Sequence, residues 1–199
     1  DYFISVAVLK TMARERISGI LKNQFGCLTR THKTEFHPFM SEVLADLNSI
    51  YRPNLCIIDG RTAMEGFGPV DGTPVHCGLL IIGNDPVATD AVAARIMGFS
   101  PKSVPHLNYA AKQGIGNIDS MTVGESISFN FKFIPIIVYV ACRLALKFQR
   151  YVEYLRNLQI LVRRTRSASS SVGLSYIRRK LTIDFAIRNI KNWIFKKDG

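Results

Sequence analysis

The chain has 199 residues, enough for one domain of ordinary size and an appendage. A hydrophobic content of 47% with 10% aromatics excludes an intrinsically disordered chain. The net charge of +11 is unevenly placed: residues 1–128 hold 11 basic and 12 acidic side chains, whereas residues 129–199 hold 15 and 3.

From the start of the chain, YFISVAVL (2–9) is β-branched and aromatic and predicts a buried strand. ERISGILKNQ (15–24) predicts a short helix. HPFMSEVLADLNSIY (37–51) sets Phe39, Val43, Leu44, Leu47 and Ile50 at helical spacing, with Pro38 suited to a first turn. LCIID (55–59) is a short apolar run closed by Asp59 and Gly60. An irregular 15-residue loop, GRTAMEGFGPVDGTP (60–74), leads towards a second run, GLLIIG (78–83). Antiparallel pairing of the two runs is open, because no helix is evident between them. DPVATDAVAARIMG (85–98) predicts a helix with Asp85 as its cap, Pro86 in its first turn and Gly98 past its end. PHLNYAAKQG (105–114) predicts another helix and MTVGESI (121–127) a short strand. Strands alternating with helices define an α/β fold, a sheet covered by helices, over residues 1–128.

Residues 129–199 read as a basic, mainly helical, amphipathic C-terminal extension. From Pro135 the sequence IIVYVACRLALKFQRYVEYLRNLQILV supports one long helix. Its longest charge-free apolar stretch, Phe133 to Cys142, is ten residues, whereas a membrane span needs about 20. A simple transmembrane helix is therefore excluded. RRTRSASSSVG (163–173) reads as a basic, Ser-rich linker. The segment that follows is basic and apolar together, with Trp193 near its end and Ile183, Phe185 and Ile187 in strand-like alternation.

Cys27, Cys56, Cys77 and Cys142 form no CxxC pair, so zinc or iron–sulphur ligation within this chain is not expected. Cys56 and Cys77 sit in apolar strand-like runs, where a thiol acts as a small hydrophobe. A reduced, cytoplasmic setting fits, with association to a membrane as the variant of it. The chain opens on a strand-like run without an initiator Met, basic leader or cleavage pattern, and a fragment lacking an N-terminal part is expected.

The first candidate for chemistry is Asp59, at the carboxyl end of a strand, where ligands collect in open α/β sheets. The loop after it holds Gly60, Gly66, Gly68 and Gly72 within 13 positions, plus Glu65 and Asp71. Glycines let backbone N–H groups turn towards an anion. Asp59, Glu65 and Asp85 are candidates to hold Mg²⁺ or Mn²⁺ through oxygen. A surface loop with glycines for its turns explains the same pattern. Asp90 lies on an otherwise apolar helix, where a carboxylate is costly to bury unless paired or metal-bound. A buried ion pair with Lys22 or an Arg competes there with a site role. Lys22 and Asn23 precede Gly26 in LKNQFG, and Lys22 is suited to neutralising a phosphate or carboxylate, or to plain exposure. His37 is a candidate base, or a helix cap before Pro38.

Four blocks, LKTMARERISGILKNQFGCL, CIIDGRTAMEGFGPVDGTPV, IIGNDPVATDAVAARIMGF and VPHLNYAAKQGIG, resemble in order and spacing the domain-of-unknown-function family 362, over roughly residues 1–128. By motif, the resemblance points to Lys22, Asn23, Gly26, Asp59, Gly60, Glu65, Gly66, Gly68, Pro69, Gly72, Thr73, Asp85, Asp90 and His106. It implies a prokaryotic protein, iron–sulphur association through fusion to ferredoxin-type modules, and a substantial N-terminal segment. Two departures stand out. Lys10-Thr11-Met12 replaces the family's frequent Lys-Thr-His, and no cysteine-rich ferredoxin segment is present, so a cluster belongs to a ferredoxin-like redox partner or to a region outside this chain.

Three functions follow as expectations. In the first, Asp59, Glu65 and Asp90 act as acid and base or hold a cation, while Lys22, Asn23, Gly66, Gly68, Gly72 and Thr73 receive an anionic small molecule. Binding alone and catalysis both remain open. In the second, the basic tail brings the protein to an anionic membrane surface or into a homo-oligomer. The third, nucleic-acid binding, rests on charge alone and ranks last.

Overall fold

The structure is a computed structural model that describes residues 2–29 and 33–167, with side chains through residue 156. The chain forms two compact units, Asp1–Arg150 and Tyr151–Gly199. Trp193, the alternation at 183–187 and most of the expected linker lie outside the described residues.

The first unit is built on a four-stranded mixed sheet in the order β2-β1-β3-β4. Its strands are β1 (Ile4–Met12), β2 (Arg16–Ser18), β3 (Leu55–Phe67) and β4 (Asp71–Gly83). β1 and β3 are parallel, joined through α1 (Ile20–Asn23) and α2 (Met40–Ile50). β2 folds back antiparallel on β1, and β4 antiparallel on β3. α3 (Pro86–Ile96) and α4 (Pro105–Lys112) follow. The α/β reading therefore holds, and LCIID does pair antiparallel with GLLIIG, Ile57 opposite Ile82.

Alternation along the strands sends Ala7, Leu9, Cys56, Ile58 and Ile81 to one face. They pack there against Ile20 and Leu21 of α1, Val87, Ala91 and Ala94 of α3, and Leu107 and Ala110 of α4. Small alanines on α3 let that helix approach the sheet closely. The opposite face carries Ile4, Val6, Val8, Leu80 and Ile82 and is exposed among the described residues. Full burial of one such aliphatic side chain stabilises a fold by roughly 1.5–3 kcal/mol. The sheet draws that stabilisation from one face only.

Several local expectations are corrected. The 60–74 segment is no irregular loop: β3 runs through it to Phe67 and β4 begins at Asp71. Ladder pairing from Thr62 opposite His76 to Phe67 opposite Asp71 overrides the poor strand propensity of its glycines. A bulge between Gly60 and Thr62 absorbs the register change. The 15–24 helix is also replaced: Arg16–Ser18 pair with β1, and the helix begins at Ile20. Arg16 takes the left-handed conformation at φ 68°, which closes that tight return. Pro38 lies in a 3₁₀ turn (Lys33–Phe39), and α2 starts only at Met40. Residues 121–127 form no strand and stay exposed.

Beyond α4, the chain returns to the core. Phe129 and Phe131 donate their N–H groups to the carbonyls of Ile96 and Met97, at 2.6 and 3.1 Å. Phe131 and Ile134 are buried. α5 (Ile136–Ser167) is the expected long helix after Pro135. Ion pairs of Arg143 with Glu15 (3.5 Å) and of Arg150 with Glu42 (2.7 Å) moor its first part to the first unit. Among the described residues no helix is long and apolar enough to cross a membrane.

The hairpin tip lies against the end of β1. Thr11 Oγ1 donates to the Gly66 carbonyl at 3.0 Å, and a Cβ on Gly68 would fall 2.0 Å from the Thr11 carbonyl oxygen. Gly68→Ala is therefore expected to destabilise the protein by about 1–3 kcal/mol, while Gly26→Ala, with nothing near its Cβ position, serves as the control. Urea unfolding of both variants checks this, and equal midpoints would disprove the tip contact.

Candidate functional site

Three carboxylates hold helix N-termini. Asp85 caps α3 itself, accepting N–H groups from Val87 (2.7 Å) and Ala88 (2.9 Å). Its second oxygen takes the Asn117 N–H at 3.2 Å, and Arg52 lies 3.7 Å away. Asp90 works across the fold. Fully buried on α3, it accepts the N–H groups of Ile20 (2.6 Å) and Leu21 (2.9 Å), which open α1. Gly19 leaves room for it, since a Cβ there would lie 2.1 Å from Asp90 Oδ1. Glu15 does the same for α4: its Oε2 accepts the His106 N–H at 3.1 Å and lies 3.3 Å from His106 Nδ1. Each carboxylate satisfies donors that the first turn of a helix leaves unpaired.

Asp59 and Glu65 lie elsewhere. Asp59, paired with Leu80 across the ladder, points out of the sheet and binds the Arg61 guanidinium at 2.8 Å. That guanidinium, with the Arg61 N–H, holds its carboxyl below the usual carboxylate range. Glu65 accepts the Lys132 N–H at 2.7 Å, while Gly66 donates to the Lys132 carbonyl. Gly66 and Gly72 face each other across the hairpin, and Thr73 stands opposite Glu65. The glycines thus form the hairpin rather than a cradle. Among the described residues no three His, Cys, Asp or Glu side chains gather to hold a metal ion. Asp59, Glu65 and Asp85 are each engaged separately, with Arg61, the Lys132 N–H and the start of α3. The four cysteines are free. Burial pushes the Cys56 thiol up to about 12, so it stays protonated.

Lys22 meets different company. Its Nζ lies 5.7 Å from the centre of the Phe25 ring, and Phe25 stacks on His37 at 6.0 Å. Arg14 donates from Nη1 to His37 Nδ1. An arginine has no lone pair to offer, so this nitrogen of His37 is the unprotonated one. Burial and the adjoining Arg14 and Lys22 charges lower the His37 pKa, consistent with a neutral ring. Burial also lowers the Lys22 pKa, and Lys10 and Arg14 push the same way against Glu15. Among the described residues, neither Lys10, Arg14 nor Lys22 is ion-paired to a carboxylate. Asn23, beside Lys22, ties α1 to β1 through Ser5 Oγ (3.0 Å) and the Val6 carbonyl (3.1 Å). Lys10, Arg14 and Phe25 were not singled out from the sequence. The available signal was Lys10, Arg14, Arg16 and Lys22 within 13 positions against one acid, Glu15.

The unit is thus an α/β domain with a cationic cluster near the carboxyl end of β1. Residues 1–95 match the family model described as Domain of unknown function (DUF362), the family that the sequence blocks resemble. A thylakoid-associated protein of Synechocystis sp. is 32% identical over 123 residues, covering 58% of this chain and 38% of that protein. The chain therefore spans about two fifths of that relative's length. No solved structure matches it significantly.

The Asp90 cap makes a double prediction. Asp90→Ala leaves two buried N–H groups unpaired and is expected to destabilise by about 2–5 kcal/mol. Burial, opposed by His106 and the two N–H groups, raises the Asp90 pKa from 3.8 to about 6. The native state then binds more protons than the unfolded state between those values, so this group's contribution to stability falls as pH rises through that window. Asp90→Asn lacks this component, so the stability difference between the variant and wild type should move in the variant's favour from pH 4 to pH 7. Parallel curves in urea melts across that range would contradict the assignment.

Proposed function

We propose that the first unit binds an anionic small molecule at the cluster of Lys22, Arg14 and His37. The observation that carries this reading is the meeting of two cations without a carboxylate partner among the described residues, Arg14 and Lys22, with the rings of Phe25 and His37, the four side chains coming from three chain segments. Arg14 comes from the β1–β2 turn, Lys22 and Phe25 from α1 and the turn after it, and His37 from the 3₁₀ segment. Partial burial strengthens the field of Lys22 at close range, because water screens it less. An anion arriving there supplies the counter-charge that the chain does not. The guanidinium is suited to two-point contact with phosphate or carboxylate, the ammonium to a single strong one. Asp90 and Asn23 serve this site indirectly, by fixing α1. Asp59, Glu65 and the hairpin glycines are positioned for structure in this reading, and binding rather than a paired-carboxylate reaction is the function it assigns.

Thermal-shift and calorimetric titrations at low salt with inorganic phosphate, pyrophosphate and citrate test this. At 100 times its dissociation constant a bound anion adds about 2.7 kcal/mol. Lys22→Met and Arg14→Met should each weaken binding at least about tenfold, roughly 1.4 kcal/mol. Affinity should fall as pH rises through the lowered Lys22 pKa, because the cation is then lost. No binding of any anion, or binding unaffected by Lys22→Met but abolished by Asp59→Asn, would return the site to the carboxylates.

A second reading is favoured by one feature of α5. Ile137, Val140, Leu144 and Phe148 follow each other at three- or four-residue spacing and are between 46% and 75% exposed. Residues 129–199 add a net charge of +12, which attracts anionic lipid. The relative named thylakoid-associated gives this reading independent support. We infer that α5 can lie on a membrane surface with its apolar stripe in the headgroup boundary. Co-sedimentation with phosphatidylglycerol vesicles should then be salt-sensitive and lost in Leu144→Glu. Absence of wild-type binding at low salt would rule it out.

A further inference from the structure

His37 lies in the 3₁₀ segment Lys33–Phe39, stacked on the Phe25 ring with the two planes 20° apart. Its Nδ1 accepts from Arg14 Nη1, so the ring is neutral and carries its one N–H on Nε2. Arg14 reaches it from the β1–β2 turn and Lys22 stands on α1. Lys33, on the same segment as His37, donates to the Phe25 and Gly26 carbonyls at 3.3 and 3.0 Å. The acids of the neighbouring elements are Glu35 on the same segment, Glu15 in the β1–β2 turn, and Glu42 and Asp46 on α2. Glu15 is turned to His106 and Arg143, and Glu42 to Arg150. Burial opposes a second proton on His37, and the charges of Arg14 and Lys22 oppose it further.

The bond between Arg14 and His37 exists in only one protonation state. A guanidinium always donates, so a proton on Nδ1 sets two donors against each other and adds a third positive charge beside Arg14 and Lys22. Without a ligand that state is disfavoured. A bound oxyanion reverses the balance. Its charge offsets Arg14 and Lys22, and an opposite charge within about 4–6 Å favours the protonated imidazole. Its oxygens accept from the guanidinium, which then has no need of the His37 lone pair. Arg14 and His37 stop bonding to each other, and both donate to the ligand. A small oxyanion with several free oxygens, such as sulfate or a phosphoryl group, accepts from both at once through charge-assisted bonds.

We propose that a small oxyanion bound at Arg14 and Lys22 is taken up together with a proton, which settles on His37 and makes it the third ligand. The proposal rests on the anion site assigned above and adds its regulation. The proton comes from the solvent and is placed on Nδ1 as Arg14 leaves it; no covalent bond to the ligand forms. Linkage is reciprocal, so the oxyanion must bind more tightly as pH falls through the range in which His37 titrates.

Calorimetric titration of the full chain with sulfate tests this, because sulfate keeps its charge throughout that range. Repeating the titration at one pH in buffers of different ionisation enthalpy counts the protons taken up. The expected result is an uptake of up to about one proton, and an affinity that rises at least about threefold from pH 7.5 to pH 5.5. His37→Gln should still bind sulfate, more weakly, with most of that uptake lost. The His37 ring resonance of the unaltered chain, assigned through its contact with Phe25, should titrate at higher pH with sulfate than without, a reading that needs no variant. Sulfate binding that is weakened by Lys22→Met but takes up no proton overturns this proposal and leaves the anion site standing. Uptake undiminished in His37→Gln, or a ring resonance that sulfate does not move, also overturns it. No binding of sulfate at all removes both.

Discussion

The fold of the first unit depends on buried carboxylates placed at the beginnings of helices that are not their own. α1 is only four residues long, and such a helix has no independent stability in water. Asp90 supplies what α1 lacks, two acceptors for its first N–H groups. It does so from α3, so the capping bonds also fix the distance between the two helices. Glu15 closes a similar link from the β1–β2 turn to α4, with Arg143 of α5 offsetting its charge. The alternative, burying these acids without donors, is strongly unfavourable. The acids and the helix ends therefore require each other, and this mutual need sets α1, α3 and α4 over one face of the sheet.

Much of this was legible in the sequence, and the rest failed for identifiable reasons. The Asp85 cap, Pro86 and the alanine-rich α3 were readable because capping and periodicity are local. Antiparallel pairing of the two apolar runs was open to reading, since nothing helical separates them. The hairpin from Gly60 to Thr73 was not, because its glycines argue for a loop and only the partner strand decides otherwise. Asp90 was found to be unusual on physical grounds, a carboxylate among alanines, but its partners are main-chain N–H groups seventy positions away. No side-chain pattern announces such a partner. The cationic cluster escaped for the same reason. Arg14 and His37 are 23 positions apart, and only the return of the 3₁₀ segment brings them together.

The two faces of the sheet divide the work. The inward face is closed by helices held through carboxylate caps, which gives a dry core and a rigid base for α1. The outward face has no such cover among the described residues, although its rows are as apolar as those inside. Short sequence windows cannot separate the two cases, because β1 alternates between two apolar sets rather than between apolar and polar. Only the register, with Val6, Ile57 and Ile82 side by side, shows that the outer set forms one surface.

Charge follows the same logic. By composition residues 1–128 are almost neutral, which on its face argues against an anion site. The acids, however, are not free to neutralise the surface. Glu15, Asp85 and Asp90 face helix ends, Glu65 holds the Lys132 backbone, and Asp59 is bound to Arg61. Each of these carboxylates is placed where main-chain donors or a neighbouring guanidinium require it. Lys10, Arg14 and Lys22 are left to face one another without a carboxylate partner among the described residues. A domain that uses its acids to build its interior exposes an excess of positive charge wherever the remaining bases converge. Near α1 that excess is concentrated beside an aromatic ring and partly shielded from water, the conditions under which an anion gains most from binding. The structural demand for carboxylates inside and the anion binding proposed outside thus trace to one distribution of charge.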